Sequence, residues 1–244
     1  MSLTSGKQLL LSAAAGGGTT GYQISRSLRF NSSDSAYLSR TPGTAGNRKT
    51  WTWSGWVKRC KLGTAQQFFT CSTSGYSTSW SVLGFGTNDK LQLWDVGSNP
   101  SLETAAVYRD ASAWMHVLMN NDTTQATASN RRSIYVNGVK VTSFTYETYP
   151  SQNFDTDFNS TSAHDLGRQS TGNYYCDFML ADVYWIDGAA LDPSSFGEFD
   201  ATTGVWNPKT PTGLSYGTNG FHLDFADNSN NTATTLGKDT SGNG

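Results

Sequence analysis

The chain has 244 residues and a formal net charge of -2 at pH 7, and only 15% of its residues are charged. This balance argues against nucleic acid or an anionic membrane surface as a partner, because both attract basic proteins. No apolar run approaches the length of a membrane span. A chain of this length accommodates one large β domain, or one domain with appendages.

Period-two alternation of apolar and polar residues recurs along the chain, whereas long helical periodicity is almost absent. The pattern predicts strands over residues 27–30, 35–38, 50–59, 68–71, 80–85, 90–95, 114–120, 132–136, 139–141, 177–186 and 221–225. Asn137-Gly138 is the strongest hairpin signal, because both central positions of such a turn favour positive φ. Pro193 favours one helical turn near residues 191–196. Roughly ten short strands without intervening helices predict an all-β antiparallel sandwich or barrel.

The predicted strand TWTWSGWVKR, residues 50–59, contains three tryptophans within six positions. Side chains alternate between the two faces of a strand, so Trp51, Trp53 and Val57 share one face, which we predict to be the core. Trp56 lies on the opposite, mostly polar face. It is either covered by a loop or open to a stacking sugar ring.

Other aromatic side chains are also candidates for stacking on sugars. The full candidate set is Trp56, Tyr76, Trp80, Trp94, Tyr174 and Tyr175. Alternation places Trp94 with Gln92, opposite Leu91 and Leu93, and therefore off the core face. Tyr174-Tyr175 follows turn-forming residues and is expected near a loop tip. Ordinary packing is the alternative for each candidate.

The three cysteines are Cys60, Cys71 and Cys176, and their spacing matches no zinc or redox motif. We predict reduced, partly buried thiols, with a structural disulfide as the alternative. Reduced thiols suit folding in a reducing cytoplasm.

Acidic residues suitable for catalysis or metal binding are sparse. The chain's glutamates are Glu103, Glu147 and Glu198, far apart in sequence. Asp155, Asp157 and Asn159 have the spacing of calcium ligands, but the segment is typical of a loop and no bidentate glutamate follows it. We predict no catalytic residue, no metal and no cofactor, with calcium as the open alternative.

Several segments in order resemble the laminin-G-like, concanavalin A-like jelly roll. They are Thr50–Lys58, Trp114–Val117, Ser133–Val139, Leu166–Arg168, Phe178–Ile186 and Ala190–Pro193. The resemblance covers roughly residues 25–200 and implies a two-sheet antiparallel jelly-roll sandwich of the lectin/glucanase type. It implies structural roles for His116, Asp182 and Asp187. The glucanases of this fold carry their acidic pair on a Glu-x-Asp-x-Glu strand, which this sequence lacks, so the chain is expected not to be an enzyme.

A narrower resemblance points to bacteriophage tail-fibre and virion-surface proteins. It rests on Arg26–Asn31, Ser35–Pro42, Thr50–Arg59, Asp182–Phe196, Ala201–Trp206 and Asn228–Gly244. It implies a flexible docking arm over residues 1–24, the jelly roll over 25–200, and a C-terminal extension over 201–244 with one strand and a polar tail. The start of the arm faintly imitates a secretion signal, but its apolar stretch is short and runs into glycine.

These resemblances lead to two hypotheses. The first is a non-enzymatic virion structural protein, a tail fibre or surface decoration that folds in the host cytoplasm and attaches to the host surface. Its expected partners are other virion proteins, through the N-terminal arm, a host-surface glycan and further copies of the chain, without nucleic acid or membrane insertion. The second is a lectin module not tied to a virion, or a decoration or spacer without a ligand.

Overall fold

Residues 21–72, 80–96, 101–169 and 174–243 are described by the structure, a computed structural model. The strands are β1 Leu28–Phe30, β2 Leu38–Arg40, β3 Thr50–Arg59, β4 Gln66–Ser72, β5 Trp80–Phe85, β6 Leu91–Val96, β7 Ser101–Thr104, β8 Met115–Asp122, β9 Arg132–Val136, β10 Val139–Lys140, β11 Phe144–Glu147, β12 His164–Leu166, β13 Phe178–Asp187, β14 Gly197–Phe199, β15 Trp206–Pro208 and β16 Phe221–Leu223. Short 3₁₀ turns cover Ser32–Asp34, Ala128–Asn130 and Pro193–Ser195, and the helix α1 covers Ala233–Leu236.

Fourteen of the strands form two antiparallel sheets packed face to face, and β14 and β15 pair with each other as a separate hairpin. The first, here called the β3 sheet, has the order β1-β13-β3-β8-β9-β10, and β16 also pairs with β13. The second, here called the β5 sheet, has the order β11-β7-β6-β5-β4-β12-β2. The predicted all-β, two-sheet jelly-roll sandwich is confirmed.

The alternation predicted for β3 fills the core between the sheets. Trp51 and Trp53 have no solvent exposure, and the Trp53 ring lies 4.6 Å from the ring of Phe68 on the opposing sheet. The space beside Gly55 is taken by Trp53, since a Cβ at Gly55 would lie 2.8 Å from that indole. Burying each large apolar side chain contributes about 1.5–3 kcal/mol, so these rings are a main source of stability.

A buried polar cluster closes one end of the sandwich. The Asn159 amide donates to Asp187 Oδ1 at 3.0 Å and accepts from Trp185 Nε1 at 2.8 Å. Asp187 also accepts from the backbone N–H groups of Asn47 and Asn219. Each polar group therefore has a partner, which removes the penalty of burying it. Asp187 has the structural role that the resemblance implied.

The C-terminal part of the chain covers the outer side of the β3 sheet. Thr52 Oγ1 donates to the Ala189 carbonyl at 2.8 Å and accepts from Leu191 N at 2.7 Å. A second apolar cluster forms on this side from Leu118, Tyr184, Ile186 and Phe196. Where one strand was expected within residues 201–244, the structure has β15 and β16, together with α1.

Candidate functional site

The structure divides the candidate aromatic residues among separate places. Trp56 lies on the outer side of the β3 sheet, whereas Trp80 and Trp94 lie on the β5 sheet. Tyr174 and Tyr175 follow β12, which lies between β4 and β2 in the β5 sheet, and Tyr175 bridges to Arg168. Tyr76 lies outside the described residues.

Trp56 is partly exposed and belongs to a cluster of aromatic rings. It pairs across β3 and β8 with His116, and their ring centroids are 5.4 Å apart. Trp206 lies on the other side of the imidazole, at 5.7 Å. Burial lowers the pKa of His116 to about 3, and its Nε2 lies 2.9 Å from Ser54 Oγ. The imidazole is therefore neutral and serves packing, as the resemblance implied.

The outer face of the β5 sheet, turned away from the β3 sheet, carries the other two tryptophans. In β6 the core takes Leu91 and Leu93, so Gln92 and Trp94 point outward. Trp80 is likewise an outward residue of β5, and the two indole centroids are 6.5 Å apart. Both rings are partly exposed. The Trp94 Nε1 atom is enclosed and has no hydrogen-bond partner in the described part of the chain.

Cross-strand register surrounds Trp94 with polar side chains. One row across β12, β4, β5, β6 and β7 consists of Asp165, Thr70, Val82, Trp94 and Ser101. The neighbouring row consists of Gln67, Gly84, Gln92 and Glu103. Gln92, Trp94 and Ser101 are partly exposed, whereas Asp165, Thr70, Val82 and Glu103 are buried. An aromatic ring beside the donors and acceptors of Gln92 and Ser101 suits a ligand with both apolar and hydroxyl-bearing surfaces.

The Glu103 carboxylate is held in a fixed orientation on this face. It accepts from Gln92 Nε2 at 2.5 Å and from Asn88 Nδ2 at 3.1 Å, and Lys90 Nζ lies 4.0 Å away. These contacts leave the carboxylate only 2% exposed. It therefore supports the side chain of Gln92 beside Trp94.

At the other end of the same face, Arg168 is clamped between an acid and an aromatic ring. Its Nε and Nη2 donate to the Asp165 carboxylate at 3.1 and 3.4 Å. The guanidinium lies 3.5 Å over the Tyr37 ring, and Tyr175 lies 6.1 Å from Tyr37. Burial opposes the charge of Arg168, but the Asp165 carboxylate outweighs it and raises the arginine's pKa. Tyr174 beside this cluster is 73% exposed.

Sequence reasoning missed Tyr37, Asp165 and Arg168 as site residues. Asp165 belongs to the three-residue strand β12, which is too short for an alternation pattern, and Tyr37 was placed within a predicted strand. The structure instead begins β2 at Leu38. The closeness of Arg168 to Tyr174-Tyr175 in the sequence was the one available signal.

A cleft of about 450 Å³, here called the hairpin cleft, lies between the β14–β15 hairpin and Gly138. Asp192, Glu198, Phe199, Trp206 and Lys209 are among its lining residues. This cleft is on the side of the β3 sheet and contains none of the six predicted aromatic residues.

The described residues hold no group of three or more His, Cys, Asp or Glu side chains that could bind a metal. Asp155 is exposed, while Asp157 lies 3.7 Å from Arg48 and Asn159 belongs to the buried end cluster. The calcium spacing seen in the sequence thus does not bring these three side chains to one point. Cys60, Cys71 and Cys176 form no disulfide in the structure; Cys71 and Cys176 are buried, whereas Cys60 is exposed, which differs from the predicted partial burial. Within the described ranges, no helix is long and apolar enough to span a membrane.

A family model described as the concanavalin A-like lectin/glucanases superfamily matches residues 30–194. The chain belongs to the concanavalin A-like superfamily. This superfamily includes sugar-binding lectins and sugar-cleaving glucanases alike, so membership by itself assigns neither activity. No curated protein gives a significant match.

Several solved structures are similar to this chain, at low identity and with TM-scores below 0.5. A heptameric SAP-like pentraxin from Limulus polyphemus is 17% identical, with a TM-score of 0.46 over 64% of this chain and 70% of that one. Mouse laminin alpha1 domains LG4-5 are 10% identical, with a TM-score of 0.48 over 85% of this chain and 50% of that one. Domain 4 of AbnA, an extracellular arabinanase from Geobacillus stearothermophilus solved with arabinotriose, is 20% identical, with a TM-score of 0.49 over 73% and 79%.

Proposed function

We propose that this jelly roll is a non-enzymatic glycan-binding module and that its binding surface is the outer face of the β5 sheet. The observation that carries the proposal is the Trp80–Trp94 pair at outward positions of adjacent strands. Outward positions of an antiparallel sheet are usually polar. Neighbouring partly exposed indoles are costly in water and typical of binding surfaces.

The chemistry of this face matches that of a sugar ring. The apolar C–H face of a pyranose or furanose packs on the Trp94 indole, as other flat apolar groups do. The sugar hydroxyls at the ring edge donate to and accept from the amide of Gln92 and the hydroxyl of Ser101, which flank Trp94 in the register. Glu103 holds Gln92 in place for this contact.

The carboxylates of this face are arranged for binding rather than cleavage. Asp165 and Glu103 are separated by four inter-strand steps in the sheet order, about 19 Å at the usual strand spacing. Glycosidases need their two carboxyl groups about 5–10 Å apart. Asp165 is also committed to Arg168 and Glu103 to Gln92.

The finer part of the proposal is the setting in which the module works. The sequence resemblance to tail-fibre and virion-surface proteins supports display on a phage particle as a homo-oligomer, docked through residues 1–24. Deleting residues 1–24 should remove the protein from purified particles while leaving the sandwich folded by circular dichroism. Normal incorporation of the shortened chain would contradict the docking role.

A glycan array followed by titration calorimetry tests the binding function. We expect the purified protein to bind a defined set of glycans, and Trp94→Ala to raise the Kd about tenfold or more, which corresponds to about 1.4 kcal/mol. Trp56→Ala is the matched control, because Trp56 lies on the opposite side of the sandwich. Absence of binding to any glycan would overturn the proposal in favour of a decoration or spacer.

An assay for reducing ends released from the bound polysaccharide tests the non-enzymatic part. We expect no release. If the wild-type protein releases reducing ends and Glu198→Gln does not, hydrolysis takes place in the hairpin cleft, which both Asp192 and Glu198 line.

A further inference from the structure

We propose that Arg168 and Tyr37 form a subsite for an anionic group, a carboxylate or a sulfate, on the glycan that this face binds. The inference rests on the proposed glycan-binding function and adds the class of sugar. It starts from Arg168 at the β12 end of the outer face, which pairs with the buried Asp165 and remains partly exposed.

Arg168 is held in place before any ligand arrives. The Asp165 carboxylate behind it is fully buried and accepts from two of its nitrogens, and the Tyr37 ring supports the flat side of the guanidinium at 3.5 Å. A long side chain fixed in this way loses little entropy when it binds. The subsite is therefore preorganised.

The arginine nevertheless keeps part of its binding capacity. Two of its nitrogens donate to Asp165 and Tyr175 is a further hydrogen-bond partner. A guanidinium has five N–H donors, and 18% of the side chain remains exposed. Planar arginine donors match the oxygens of carboxylates and sulfates better than they match a single hydroxyl. An anionic group on the ligand is thus the complementary chemistry.

The local charge determines how this subsite works. Asp165 balances the charge of Arg168, so the pair presents no strong long-range field. Recognition then depends on directed hydrogen bonds at contact distance, which salt screens less than it screens a basic patch. A shallow dependence of affinity on ionic strength follows.

The register places this subsite and Trp94 on one ligand path. Asp165, Thr70, Val82 and Trp94 occupy one row of the sheet, so three inter-strand steps of about 4.8 Å separate the two ends, about 14 Å in all. Thr70 and Val82 are themselves buried, so a ligand that reaches both ends crosses over the side chains that cover them. That span requires an oligosaccharide lying across the strands. One sugar ring stacks on Trp94 and another presents its anionic group to Arg168.

Calorimetry with matched oligosaccharides tests this inference. The probes share one backbone found on the glycan array and differ only in carrying a hydroxymethyl group, a carboxylate or a sulfate at the same ring. We expect the wild-type protein to bind at least one anionic form about tenfold or more tightly than the neutral form, equivalent to about 1.4 kcal/mol. The two anionic probes distinguish a uronate-type sugar from a sulfated one.

The variants separate this inference from the proposed function. Arg168→Gln should abolish the anionic preference, and Arg168→Lys should retain a reduced preference. If Arg168→Gln does not fold, Tyr37→Leu removes the stacking ring without changing charge and should lower the preference. Equal binding of neutral and anionic probes by wild type, or a preference retained in Arg168→Gln, overturns the subsite while the glycan-binding function stands. Binding of no probe overturns both.

Discussion

Two buried histidines give the protein a pH-dependent stability. Burial lowers the pKa of His116 to about 3 and that of His164 to about 4, from an ordinary value of 6.5. Below pH 6.5 the unfolded chain therefore binds protons that the folded chain does not, and the free energy of unfolding falls with decreasing pH. Each histidine contributes a slope of up to about 1.4 kcal/mol per pH unit.

Urea unfolding between pH 6 and pH 4.5 measures this slope. The pKa of Asp89 is lowered to about 2, so the stability that its carboxylate contributes is lost only below its ordinary pKa of 3.8. That loss lies outside the range from pH 6 to pH 4.5. His116→Gln should roughly halve the slope, because one of the two proton-linked groups is gone. An unchanged slope in this variant would show that His116 titrates normally in the folded state.

Residue-scale predictions from the sequence succeeded where alternation governs. The core positions of Trp51 and Trp53 followed from their spacing on one strand, and so did the outward position of Trp94. The cluster of Tyr37, Asp165 and Arg168 could not be predicted in this way. Tyr37 directly precedes β2, whereas Asp165 and Arg168 lie in and just after β12. These segments are distant in sequence and come together only because β2 pairs with β12.

At the scale of elements, the turn between β9 and β10 is tied to the C-terminal hairpin. Gly138 has φ +78, and a Cβ there would lie 2.3 Å from the Trp206 ring. Gly204 has a similar φ of +69 but open space around it. Gly204→Ala should therefore lower the free energy of unfolding only by the backbone strain, about 1–2 kcal/mol. Gly138→Ala should lower it clearly more, because the added Cβ also displaces Trp206. Equal losses in thermal or urea unfolding would show that Trp206 moves aside freely.

Every strand of five or more residues was predicted, whereas only some of the shorter ones were, among them β1, β10 and β16. Residues 50–59, 80–85 and 132–136 were predicted with the observed bounds, because each holds enough alternating residues to show a period of two. The strands β7, β11, β12, β14 and β15 have three or four residues each and depend on pairing with neighbours. Residues 35–37 fail as a strand because Ser35, at φ 52, ends a 3₁₀ turn instead.

For the whole molecule, the last part of the chain contributes to the sandwich core. Phe221, Leu223 and Phe225 belong to the main apolar cluster, and Trp206 covers His116. A chain that stops at residue 200 loses these four side chains, which contribute about 6–12 kcal/mol in total. That loss is comparable with the whole stability of a typical domain.

We therefore expect the chain that stops at residue 200 to show no cooperative thermal transition by circular dichroism. A chain that stops at residue 226 keeps β15, β16 and Phe225 and is the matched control, with a cooperative transition at moderately lower temperature. Cooperative melting of the shorter chain near the wild-type temperature would show that residues 201–243 are dispensable for folding.

The tryptophans differ in solvent exposure, so their fluorescence can report ligand binding. Trp51, Trp53 and Trp185 are sealed from water, so iodide in solution cannot reach them, whereas it can collide with the partly exposed Trp80 and Trp94. A saccharide seated on these two rings would shield them and suppress quenching. The part of the tryptophan fluorescence that is lost in Trp94→Phe would thus report whether a saccharide occupies this face, without an added label.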